Sequence, residues 1–99
     1  MNEKQLKFLY DIKIAIDEID SYFETELRNF DNYKKNSLLK RAIERNLEII
    51  GSRNQIIHGY DSISDENIWG IITNYLPKLK SEVNTMINIT LHYTVGAID

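Results

Sequence analysis

The sequence lacks cysteine entirely and contains a single proline and four glycines in 99 residues. Without cysteine, the chain can form no disulfide, no thiolate nucleophile and no cysteine metal site. Its two histidines, His58 and His92, do not have the spacing of a zinc site. No apolar run approaches the length of a membrane span, and the amino-terminal residues do not resemble a signal peptide. The sequence therefore favours a cytoplasmic protein without a metal or other cofactor.

The chain also lacks an excess of positive charge, with a formal net charge of −3. General nucleic-acid binders are usually basic, so a sequence-independent grip on long RNA is not expected. An enzyme that contacts RNA at one small site remains compatible with this charge. The positive side chains cluster at Lys34, Lys35, Lys40, Arg41, Arg45 and Arg53. Apart from Arg53, we interpret them as a solvated helix face balanced by Glu44 and Glu48.

The scarcity of helix-breaking residues predicts a single all-α domain over residues 1–99. Apolar residues at steps of three and four predict a first helix, with the stripe Leu6, Leu9, Ile12, Ile16, Ile19 and Phe23. Asn2 and Gln5 have the spacing of a capping box at its start. Ile14 and Tyr22 lie off the stripe and suggest a second buried face, in a bundle or at a dimer contact.

A connector at 24–35, with one helical turn around Leu27 and Phe30, leads to a second helix that starts at Asn36 or Ser37. Gly51 is expected to end that helix in a left-handed cap. Ser64 opens a third helix, which Pro77 should kink or split. Residues 89–99 are expected to be a loose end. The prediction is an up-and-down bundle of three long helices and one or two short ones.

The segment Ser52–Asp61 carries the residues most suited to chemistry: Arg53, Asn54, His58 and Tyr60. Histidine can accept and donate a proton near neutral pH, and arginine can grip a phosphate through two parallel hydrogen bonds. RNA cleavage needs both abilities. On one continuous helix, the Arg53 and His58 side chains would point about 140° apart. From the spacing alone, a histidine at a helix end that bonds to the backbone remains the alternative.

The pattern Arg-Asn-x-x-x-His-Gly-Tyr resembles the signature of the HEPN superfamily, in particular its HepT-like ribonuclease toxins. Flanking segments resemble the same family, and the resemblance covers roughly residues 6–83. It implies a HEPN-type bundle and a homodimer whose two motifs face each other. It also implies metal-independent RNA cleavage by Arg53 and His58, assisted by Asn54.

The family's toxins are paired with an MNT-type nucleotidyltransferase antitoxin, which attaches AMP to a tyrosine two residues after the motif histidine. Tyr60 matches that position. The AMP group would bring bulk and negative charge next to Arg53. The alternative for Tyr60 is a phenol packed at the turn with its hydroxyl hydrogen-bonded.

The chain departs from the family pattern at Gly51–Ser52, where about twenty or more residues are expected between the long helix and the motif. The alternatives are a deletion and a loop missing from the sequence as written. A missing loop predicts a separation between the two Cα atoms well beyond about 3.8 Å.

Two other functions compete with the ribonuclease. One is a non-catalytic helical dimer that binds a nucleotide or a partner protein; it predicts that the motif pair is buried and bonded to the backbone, whereas a catalytic pair is accessible in a groove. The other is a metal-dependent hydrolase, for which Asp61 and Asp65 beside one histidine are too few ligands.

Overall fold

The computed structural model describes residues 2–53 and 64–98. The described part is helical, without strands. Its long helices are α1 (Glu3–Tyr22), α3 (Ser37–Arg53) and α5 (Leu76–Ile98), and its short ones are α2 (Phe30–Lys35) and α4 (Asp65–Gly70). A π-helical turn, Ile71–Tyr75, joins α4 to α5. The predicted all-α bundle of three long and two short helices is therefore confirmed.

Helix α1 begins as its sequence predicts. The Asn2 side chain accepts a hydrogen bond from the Gln5 backbone N–H at 2.9 Å, and the Gln5 side chain accepts one from the Asn2 N–H at 3.2 Å. This capping box satisfies two amides that the helix itself leaves unpaired. The buried side of α1 includes Leu9, Ile12 and Ile16, which belong to the predicted stripe, while Ile14 remains 60% exposed in the single chain.

Helix α3 starts at the predicted place, with the Asn36 side chain accepting from the Leu39 N–H at 3.0 Å. The short helix before it lies at Phe30–Lys35, slightly later than predicted. The predicted end at Gly51 is wrong, because α3 continues to Arg53 and Gly51 is buried within it. The helix is unbroken across Gly51–Ser52.

Pro77 interrupts the third helical run without ending it. Proline has no N–H to donate and so leaves a carbonyl of the preceding turn without its usual partner. The chain responds with the π-helical turn, in which the Leu76 N–H bonds to the Ile71 carbonyl, five residues back. The predicted split is therefore a local change of hydrogen-bond register, after which α5 proceeds as a regular helix.

The prediction of a loose end at 89–99 is wrong, because α5 extends to Ile98. Its threonines and branched residues favour extended chain only slightly, by a few tenths of a kcal/mol each. Thr90 Oγ1 donates to the Met86 carbonyl at 2.8 Å, a bond that is compatible with the helix. Ile87, 4% exposed, holds this half of α5 on the core. No described helix is both long enough and apolar enough to cross a membrane.

The core consists of aliphatic side chains from the three long helices, with an aromatic cluster at one end. Ile19, Ile43, Leu47 and Ile50 are fully buried in it. In the aromatic cluster, the ring of Trp69 lies 5.9 Å from Phe23, 6.5 Å from Phe30 and 5.5 Å from Tyr33, measured between centroids. Trp69 is thus a packing residue that joins α4 to α2 and to the end of α1.

Helices α1 and α3 are also linked by a chain of polar side chains that runs from the buried Asn46 to the surface. Asn46, 3% exposed, donates from Nδ2 to the Tyr22 hydroxyl at 2.9 Å and to the Ala42 carbonyl at 3.1 Å. The Tyr22 hydroxyl donates in turn to Glu18 Oε1 at 2.8 Å. Burial and this bond to the carboxylate raise the pKa of Tyr22. Because each donor has a partner, burial of Asn46 is tolerated.

Tyr33 gives a direct test of the core. Its side chain is fully buried, and its hydroxyl has no hydrogen-bond partner among the described residues. Tyr33→Phe keeps the ring contacts and removes the unpaired hydroxyl, so we expect the free energy of unfolding to rise by about 1 kcal/mol. Tyr33→Leu loses the contact with Trp69 and should lower the free energy of unfolding. Urea unfolding followed by Trp69 fluorescence measures both.

The pH dependence of the free energy of unfolding gives a second test of the Tyr33 hydroxyl. Burial raises the pKa of Tyr33 above its usual value of 10.0, with Asp65 and Glu44 contributing in the same direction. A raised pKa in the folded state means that stability is lost as pH rises above the unfolded value. The advantage of Tyr33→Phe should therefore grow above pH 10. A variant less stable than the wild type at neutral pH would show that the hydroxyl has a partner.

Candidate functional site

Of the predicted site residues, Arg53 lies within the described part of the chain. It is the last residue of α3. Asn54, His58 and Tyr60 lie outside the described residues, so their predicted roles remain predictions. The geometry of the site is therefore built from Arg53 and from what the fold places around it.

Two side chains of α1 hold the Arg53 guanidinium. Its Nε donates to Asp11 Oδ2 at 3.2 Å, and its central carbon lies 5.2 Å from the centroid of the Phe8 ring. Its Nη1 donates to the neighbouring Ser52 Oγ. Phe8 and Asp11 are three residues apart, so they face the same side of α1 and meet the end of α3 together. None of these partners is a backbone group.

The Arg53 side chain is 30% exposed and that of Asp11 is 26% exposed. Both line an open groove of about 340 Å³ between α1 and α3. The groove combines charged and apolar walls, and the side chains important here are Lys7, Asp11, Ile14, Glu18, Ile49 and Arg53. Ile14 and Ile49 remain 60% and 36% exposed, so the groove offers apolar surface beside the arginine.

The groove lies towards one end of α3, away from the start of α4. Lys40, in the first turns of α3, pairs with Asp65 of α4 at 3.1 Å between Nζ and Oδ2. This pair also corrects the interpretation of the basic face, because the acid that balances Lys40 is Asp65 rather than Glu44 or Glu48. Lys35 likewise pairs with Asp31, at 3.6 Å.

Sequence reasoning missed Phe8, Asp11 and Lys7, which share the groove wall or the guanidinium with Arg53. The available signal was weak: these residues lie off the apolar stripe of α1, on the face where Ile14 alone suggested a further contact. Among the residues in 2–53 and 64–98, no group of three or more His, Asp or Glu side chains could hold a metal ion.

Two comparisons with known proteins bear on this site. The sequence profile of the "Ribonuclease HepT-like" family matches residues 48–86, a stretch that contains the whole motif. Over these residues the chain is similar to the HepT-like family. It is also similar to a protein of Methanocaldococcus jannaschii whose name is "Putative RNase", with 28% identity over 104 aligned positions, which cover 81% of this chain and 84% of the relative. No solved structure matches the chain.

The similarity to this relative also bears on chain length. Since 81% of this chain is about 80 residues, about 24 of the 104 aligned positions have no counterpart in this chain. That difference is similar in size to the stretch expected between the long helix and the motif. A deletion and a missing loop would both produce such a difference, so both alternatives stay predictions.

Proposed function

We propose that this chain is a metal-independent endoribonuclease toxin that cleaves RNA with Arg53 and His58, assisted by Asn54. The observation that carries the proposal is the setting of Arg53. It lines an open groove, and its described bonds go to side chains rather than to the backbone. A purely structural arginine is expected to be buried and bonded to carbonyls, so this setting supports the catalytic interpretation over the non-catalytic one. The family match over the motif supports the substrate class.

The proposed reaction uses the nucleophile that RNA carries. The 2′-oxygen attacks the adjacent phosphorus, and the bond from phosphorus to the 5′-oxygen breaks. His58 takes the proton from the 2′-hydroxyl or gives one to the leaving 5′-oxygen. Arg53 binds the phosphate and stabilises the charge that builds on its oxygens. Asn54 orients His58 or the phosphate through a hydrogen bond. The products are a 2′,3′-cyclic phosphate and a 5′-hydroxyl.

Substitution of His58 and Arg53 tests this mechanism. In the presence of a metal chelator, purified wild-type protein should cleave RNA. His58→Ala should lower kcat by about 100-fold or more, because it removes the proton-transfer group. Arg53→Ala should cause a loss on the order of 100-fold, because it removes the charge that stabilises the phosphate. A fluorescent RNA cleavage assay measures both.

The matched controls are His92→Ala and Arg45→Ala, since both residues are exposed in the described part of the chain. Neither control substitution should change the rate of RNA cleavage. Circular dichroism should show an unchanged helical content in all four variants. Unchanged cleavage by His58→Ala would rule out the assigned role, and dependence on an added divalent metal would rule out the metal-independent mechanism.

We propose further that two copies associate through the face that carries Ile14 and Ile49. These two side chains give the groove an exposed apolar surface beside Arg53. Lys7 and Glu18 lie on the same face of α1, on either side of Ile14. Two antiparallel copies of α1 could therefore pair each lysine with the partner's glutamate, which makes the surface self-complementary.

Ile14→Glu tests this association. A buried unpaired carboxylate would be costly at a dimer contact, so we expect the variant to be monomeric at concentrations where the wild type is dimeric. Light scattering after size exclusion measures the mass of each. Leu38→Glu is the control, because Leu38 is 77% exposed and lies near the other end of α3. A dimeric Ile14→Glu variant would place the contact elsewhere.

The proposed partner is an MNT-type nucleotidyltransferase that silences the toxin at Tyr60. In this reaction the Tyr60 oxygen attacks the α-phosphorus of ATP, pyrophosphate leaves, and the phenolic proton passes to solvent. The attached phosphate would compete with RNA for Arg53 because both are anions that fit the guanidinium.

Incubation with such a nucleotidyltransferase and ATP should add AMP to the chain, as intact mass spectrometry would show. Tyr60→Phe should remain unmodified, whereas the control Tyr10→Phe should be modified like the wild type. The modified wild type should lose at least about 10-fold of its cleavage rate, in proportion to the fraction modified. AMP found on Tyr60→Phe would move the site to another residue.

A further inference from the structure

A carboxylate of α1 holds the Arg53 guanidinium, although the two residues are 42 positions apart in the sequence. The bond to Asp11 uses Nε, with 3.2 Å between Nε and Oδ2. The ring of Phe8 lies under the guanidinium, and Ser52 accepts from Nη1. Contacts on three sides restrict the rotation of a side chain that is otherwise among the most flexible in proteins.

Within the part of the chain that the structure describes, these contacts leave one edge of the guanidinium without a partner. Arginine has one N–H at Nε and two on each terminal nitrogen. Asp11 occupies the Nε side and Ser52 one position on Nη1, and among residues 2–53 and 64–98 neither N–H group of Nη2 has a partner. A phosphate can therefore still approach the Nη1–Nη2 edge while Asp11 keeps its own bond.

The charges around the groove indicate what Asp11 does to binding. Lys7 and Arg53 supply positive charge, whereas Asp11 and Glu18 supply negative charge. Asp11 lies closest to the guanidinium and offsets part of its field. A carboxylate in that position should weaken, not strengthen, the affinity of a resting anion. Its benefit must then come from orientation.

We propose that Asp11 is a positioning residue for the reaction: it fixes Arg53 through Nε so that the Nη edge meets the scissile phosphodiester of RNA. This inference rests on the proposed ribonuclease function. Donors that are already aligned where charge develops need no reorganisation during the reaction, and small misplacements reduce rates strongly. Asp11 thus affects the chemical step through Arg53, without touching RNA itself.

The kinetic test separates orientation from binding. Asp11→Ala should lower kcat on the order of 10-fold, because Arg53 loses its alignment. KM should stay the same or fall, because a negative charge next to the phosphate is lost. Asp11→Glu should recover part of kcat, since a carboxylate can still reach Nε.

Asp20→Asn is the matched control. Asp20 is another carboxylate of α1, and it pairs with Lys80 at 2.9 Å instead of with Arg53. The Asp20→Asn substitution should leave kcat and KM unchanged. An unchanged kcat in Asp11→Ala would overturn the inference, and an increased kcat would show that Asp11 competes with the substrate.

A second measurement does not depend on cleavage. The Nε–Hε proton of Arg53 can be followed by NMR in protein labelled at arginine, with a 2′-deoxy oligonucleotide as the probe, since it lacks the nucleophile. In the wild type, Hε should exchange slowly with water in the free protein and also with the oligonucleotide bound. Binding of the oligonucleotide should shift the Nη signals. In Asp11→Ala, Hε should exchange faster.

The two measurements distinguish the two hypotheses. A wild type that cleaves no RNA but shows the shifted Nη and protected Hε signals would contradict the ribonuclease function and leave the positioning of Arg53 intact. Faster Hε exchange on probe binding would mean that the anion displaces Asp11, and absence of an Nη shift would mean that the free edge does not bind phosphate. Either result would overturn the inference.

Discussion

Helix α1 packs antiparallel against α3, and this contact determines what surrounds the catalytic candidate. Its apolar part includes Ile19, Ile43 and Leu47, which are fully buried. Burial of an aliphatic side chain contributes roughly 1.5–3 kcal/mol, so the contact sets the register between the two helices firmly. That register brings the end of α3 beside the first half of α1. Arg53 is consequently placed by a hydrophobic contact in which it takes no part.

The sequence features that predicted the fold correctly are those with local causes. Apolar spacing and the side-chain caps at Asn2, Asn36 and Ser64 depend on residues within one turn of the helix. The errors arose where tertiary packing outweighs a local preference. Gly51 could end a helix, but its burial on the core side of α3 favours continuation. The carboxyl-terminal residues favour extended chain weakly, and contact of Ile87 with the core outweighs that preference.

The residues of the candidate site also differ in whether their cause is local in the sequence. Arg53 could be proposed from the sequence because it belongs to a short pattern in the chain. Asp11 could not, because its only relation to Arg53 is the register of α1 on α3, and nothing near it in sequence marks it as functional. The exposed Ile14 was anticipated as part of a second apolar face, yet what covers it depends on assembly rather than on sequence spacing. Long-range geometry therefore supplies the part of the site that a motif cannot.

Ion pairing explains how an acidic chain can be compatible with an RNA substrate. Most lysines and arginines with described contacts face an aspartate: Lys13 with Asp17, Arg28 with Asp20, Lys35 with Asp31, Lys40 with Asp65, Arg53 with Asp11, and Lys80 with Asp17 and Asp20. Such pairs leave little net positive field along the surface, so few phosphates of a long RNA would be neutralised. An enzyme of this kind would bind RNA with a shallow dependence on salt and would rely on geometry at one phosphate. Fixing the orientation of a single arginine then matters more than adding further cations.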